Sequence, residues 1–77
     1  MKDRVLLQSR IVRSGLVYTV DVCRDRSDRR VVVVHRDGTA LAVGRAEDGE
    51  WVDVGGRKPA IWAAAVAAIP SPAEVAA

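Results

Sequence analysis

Strict alternation of apolar and polar positions dominates the middle of the chain. In residues 16–24, Leu16, Tyr18, Val20 and Val22 share one parity, while Val17, Thr19, Asp21 and Cys23 share the other. β-Branched enrichment with period two predicts a strand, whose successive side chains point to opposite faces. Residues 29–36 contain the run Val31, Val32, Val33, Val34, which puts valine on both faces of its strand. A strand apolar on both sides needs cover on both sides. Asp37-Gly38 then predicts a tight hairpin, because glycine readily takes the positive φ such turns require. Residues 39–45 return as a strand with Leu41 and Val43 on one face and Ala40, Ala42 and Gly44 on the other. Residues 47–49 form the next turn, and residues 50–54 a short fifth strand. Residues 4–12 carry both strand-like and helix-like spacing; the Ser14-Gly15 turn and the strand beyond it favour a strand.

The pattern changes after Gly55-Gly56. Pro59 suits the first turn of a helix, where a missing N–H costs nothing. Residues 60–69 are alanine-rich, with Trp62, Ala65, Val66 and Ile69 on one stripe. Pro70-Ser71-Pro72 stops the helix, and residues 70–77 read as a flexible tail. The fold class expected is α+β: an antiparallel β-meander of four to five strands with one C-terminal α-helix packed on one face, forming a single domain over residues 1–69. Strand phase assigns Leu16, Tyr18, Val20, Val22, Val32, Val34, Leu41, Val43 and Trp62 to the core. The opposite face then shows Val17, Thr19, Cys23, Val31, Val33, Ala40 and Ala42. One helix cannot cover both faces. Either Val17, Thr19, Val31, Val33, Ala40 and Ala42 form an interaction face, or the sheet curls, or residues 4–12 cross over and bury it.

Composition narrows the chemistry. Seventy-seven residues lie near the lower limit for an independent core, so a partner would help. Tyr18, Trp51 and Trp62 are the three aromatics, so Val, Leu, Ile and Ala must build the interior. Arginine outnumbers lysine ten to two, and Ala and Val supply 26 residues, a GC-rich codon signature. A phage or mobile-element protein of a GC-rich bacterial host fits that signature and size. Cys23 and His35 are each the only one of their kind, which excludes an internal disulfide and a Cys/His zinc set. No metal and no cofactor is expected. The longest apolar run falls well short of the roughly 20 residues a membrane span needs, so the expected setting is cytoplasmic, with no membrane partner.

The net charge of +2 is unevenly spread: residues 1–15 carry +3, residues 24–37 carry +2, and residues 38–56 carry −3. Arg24, Arg26, Arg29, Arg30 and Arg36, with Arg57 and Lys58, are the candidate anion or nucleic-acid contacts. Asp25, Asp28 and Asp37 lie among them and can neutralise them locally. Gly55-Gly56-Arg57-Lys58-Pro59 places two cations at a helix N-terminus, which favours anions, although a plain strand-to-helix turn explains the glycines. The order strand, turn, strand and helix over residues 29–69, with Arg36-Asp37-Gly38-Thr39 at the hairpin, resembles the three-stranded DNA-binding domain of tyrosine-family integrases. That resemblance implies a sheet entering the major groove. It covers about half the chain, and the alanine-rich helix departs from it. His35 and Asp37 could share a face as an acid–base pair, but no nucleophile accompanies them, and nothing marks Cys23 as activated. The expectation is a non-catalytic protein-interaction module, a homodimer or the partner of another protein. Nucleic-acid binding through the arginines is the alternative.

Overall fold

The computed structural model describes residues 4–55 and 58–75. Five strands, β1 (Arg4–Arg13), β2 (Leu16–Arg24), β3 (Arg30–Arg36), β4 (Thr39–Glu47) and β5 (Glu50–Asp53), form one sheet in the order β1-β2-β3-β4-β5. Every neighbouring pair is antiparallel, so the sheet is a meander. One helix, α1 (Pro59–Ala67), follows. The architecture is α+β, as the alternation and the alanine-rich segment predict.

Three of the four turns use the same device. Ser14-Gly15, Asp37-Gly38 and Asp48-Gly49 each pair a residue at φ 51–52° with a glycine at φ 77–80°. Two successive positive φ values match the right-handed twist of the flanking strands. The β2–β3 connection is longer and is pinned by Asp25, whose Oδ1 accepts the N–H groups of Ser27 and Arg29, both at 2.9 Å.

The core lies between the sheet and α1. Val20 pairs with Val34 and Val22 with Val32, and all four are fully buried. Tyr18, Ile11, Ala42, Ala65, Ile69 and Val75 complete it, with Trp62 packed against the cluster. From Ala42 onward the phase of β4 is the reverse of the one alternation suggests, while Leu41 packs against the core as expected. Val34 pairs with Ala42 and Val32 with Gly44, so Ala42 and Gly44 face the helix, while Val43, opposite Val33, faces away. A bulge between Val34 and His35 takes Leu41 out of the ladder. The cause is the Trp62 ring: a Cβ on Gly44 would overlap its Cη2 and stand 2.6 Å from its Cζ3. Small residues on β4 make the space that the indole occupies.

Two further expectations are corrected. Residues 4–12 do not cross the sheet; β1 is its edge strand, paired only with β2. Residues 70–75 are not a loose tail. Trp51 Nε1 donates to the Pro70 carbonyl at 2.8 Å, Ser71 and Glu74 form a capping box on the short 3₁₀ turn Pro72–Glu74, and Pro72 and Val75 are buried. The exposed residues of α1 include Ala60, Ala63 and Ala67, and the helix carries no charge.

Candidate functional site

The sheet face opposite α1 is left open by the fold among the described residues. Strand register fixes its membership in rows across the strands. Val12 and Val17 lie at one end; Arg10, Thr19 and His35 come next, then Gln8, Asp21, Val33 and Val43, then Val5, Cys23, Val31, Arg45 and Val52. Among the described residues, no element lies over this face. Val12 is 66% exposed, Val5 53%, Val17 52% and Val52 37%. Val31 and Val33 are half-buried, sheltered only by their cross-strand neighbours.

The expected interaction residues therefore divide. Val17, Thr19, Val31 and Val33 lie on this face. Ala40 is exposed and pairs with His35 beside the bulge. Ala42 is buried under the helix, for the reason given by Gly44 and Trp62. In its place the face gains Val43 and Val52, together with Val5 and Val12 from the edge strand.

A polar cluster sits in the middle of the valines. Asp21 Oδ2 engages His35 Nε2 at 2.8 Å, and Asp21 Oδ1 accepts from Gln8 Nε2 at 2.8 Å. These three side chains belong to three adjacent strands and bolt them together. His35 is thus paired with Asp21 rather than with Asp37. Asp37 sits in the turn at φ 52° with its carboxylate 3.8 Å from Arg36. A His–carboxylate pair can orient a proton acceptor. Here both carboxylate oxygens are already engaged in holding strands together.

The predicted arginine cluster is not one patch. Arg24, Arg26, Arg29 and Arg30 gather at the β2–β3 connection, while Arg36 lies at the far end of β3, about 20 Å along the strand at 3.3 Å per residue. Arg24 is paired with Asp28 at 2.7 Å and Arg29 with Asp25 at 3.6 Å. Arg36, besides its contact with Asp37, stacks over the Tyr18 ring at 5.8 Å from its centre. Lys58 is exposed just before α1, and Arg57 lies outside the described residues, as does Gly56. Among the described residues, no helix is long and apolar enough to cross a membrane, and no group of His, Cys, Asp and Glu is placed to hold a metal ion.

Compared with protein-family models, curated proteins and solved structures, the chain matches none of them.

Proposed function

We propose that this protein is a non-catalytic interaction module that pairs with a second copy of itself through the open face of the sheet. The carrying observation is the valine face, over which no element lies among the described residues. Fully burying one valine side chain is worth about 1.5–3 kcal/mol, so each half-exposed valine leaves about 1 kcal/mol unclaimed. Exposed apolar surface of this extent marks a contact site. The molecule measures 33 × 26 × 20 Å, so the outline of its broad side, on the order of 850 Å², leaves room for the roughly 800 Å² a stable interface takes from each partner.

Charge favours a copy of the same chain as the occupant. The β1–β2 tip is basic, with Arg10 and Arg13, and the β4–β5 tip is acidic, with Asp48 and Glu50 beside the Arg45–Glu47 pair. The meander places these tips at diagonally opposite corners of the sheet. A two-fold pair stacked face to face, with its strands crossed steeply, lays each basic corner on the partner's acidic one. Edge-to-edge pairing through β1 is disfavoured by contrast, because its arginines and its bulge near Leu6 oppose a second β1.

The test is solution mass as a function of concentration, for the wild type and for Val33→Lys. Val33 stands directly across from Asp21, so a lysine there gains a carboxylate neighbour, and circular dichroism checks that the sheet persists. The wild type should weigh twice 8.3 kDa and the variant 8.3 kDa. Two results refute the proposal: a wild type of single-chain mass up to millimolar concentration, or a folded Val33→Lys that still dimerises. Nucleic-acid binding that falls steeply with salt and is lost on changing Arg29 and Arg30 to Gln would favour the alternative function.

A further inference from the structure

On the helix side of the sheet, beyond the core, the register lines up three arginines. Arg4 pairs with Arg24, and Arg24 pairs with Arg30, across β1, β2 and β3. Arg24 continues the phase of Val20 and Val22, and Arg30 that of Val32 and Val34, so the row extends the buried face and not the open one. Neighbouring strands are about 4.8 Å apart, so three guanidinium-bearing side chains arise within about 10 Å. Like charges directly opposite each other destabilise a sheet. One carboxylate answers them among the described residues: Asp28, bonded to Arg24 at 2.7 Å and itself largely exposed. The Nε atoms of Arg24 and Arg30 are both shut away from solvent, and neither has a hydrogen-bond partner. A hidden charged donor left unsatisfied is costly.

One ligand chemistry relieves the repulsion along the row. We infer that Arg4, Arg24 and Arg30 form a binding site for a phosphate-type oxyanion. Guanidinium forks match the oxygens of phosphate in paired hydrogen bonds, and a multiply charged anion cancels the repulsion along the row. Arg26, Arg29 and Arg36 are not part of the site. Arg29 is turned to Asp25, and Arg36 lies at the other end of β3 over Tyr18. The site is on the opposite side of the sheet from the proposed dimer face, so either can fail without the other.

The probes are inorganic phosphate and pyrophosphate, with sodium chloride at matched ionic strength as the control. Ten millimolar pyrophosphate should raise the melting temperature by about 5–10 °C over the chloride control, with phosphate giving less. Arg30→Gln should abolish that shift. In chloride alone it should melt no lower than the wild type, since it removes a repulsion and a hidden unpaired donor. Arg24→Gln provides a second variant, at the cost of the Asp28 bond. Arg29→Gln should leave the anion effect unchanged. Random-sequence duplex DNA in a parallel titration identifies the source of the phosphate. Binding that Arg30→Gln removes assigns the site to a polymer backbone, and a pyrophosphate effect without duplex binding assigns it to a free anion. No melting shift beyond the chloride control, or a shift that survives in both Arg24→Gln and Arg30→Gln, overturns the inference.

Discussion

Gly44→Ala is the sharpest test of how the helix sits on the sheet. The added methyl would overlap the Trp62 ring and stand 2.5 Å from the Val52 carbonyl oxygen on the adjacent strand. The φ of Gly44 lies outside the left-handed region, so backbone conformation alone would welcome alanine; a strand interior gains roughly 0.5–1 kcal/mol from that exchange. Overpacking a filled core costs about 1–3 kcal/mol. The upper end applies here, because one obstacle is backbone and the other a large ring pressed into the core. The net loss should be about 2 kcal/mol, against a total stability of ~4–12 kcal/mol for a chain this long. At ~4–8 °C per kcal/mol the melting temperature falls by roughly 10–15 °C. Urea titration followed by tryptophan fluorescence and by circular dichroism reads the loss as a shifted midpoint at unchanged slope. Repeating the exchange in a Trp62→Leu background should remove the ring's share, leaving a coupling of about 1–2 kcal/mol. If Gly44→Ala melts at or above the wild type, then Trp62 does not lie on β4, and the reversed phase of that strand is wrong.

Two other outcomes follow from the packing. Asp25→Ala removes the acceptor of two backbone N–H groups and should cost about 1–2 kcal/mol in a thermal melt, with faster amide exchange at Ser27 and Arg29; Asp25→Asn should recover most of it. Val75→Ala should cost about 1 kcal/mol, because Val75 is only 7% exposed; a melt unchanged by this substitution would mean that residues 70–75 do not dock.

The sequence shows strands best where side-chain size and burial agree. In β2 the parity that holds Tyr18, Val20 and Val22 is also the buried one, so alternation reads the correct face; in β3, where all four central residues are valines, pairing with β2 puts Val32 and Val34 on that face. In β4 that agreement fails. Val43 is larger and more apolar than Ala42 and Gly44, yet the small pair faces inward, because the space there belongs to a tryptophan 18 residues further along. Nothing within residues 39–47 announces that. The Asp21–His35 contact is similarly hidden, since it spans 14 residues and depends on register rather than on spacing. The arginine row needs register as well, plus the bulge that brings Arg4 level with Arg24. The docked tail, by contrast, carries a visible signal: serine followed three residues later by glutamate is a capping-box spacing, here masked by the two prolines that read as a stop.

The order of the strands also governs when the chain is most vulnerable. Each strand's partner is the next one along, and three of the connections are two-residue turns, so the sheet can zip up hairpin by hairpin with little loop to close. The helix comes after all five strands, and it is what ties the end of this sequence back to β1. During synthesis from the N-terminus, the meander is therefore complete before its cover exists. In that interval Val20, Val22, Val32 and Val34 are as bare as Val31 and Val33, and a sheet uncovered on both sides is a sticky, short-lived species. The sequence of emergence, more than the stability of the finished fold, sets the moment at which this chain is most prone to aggregate.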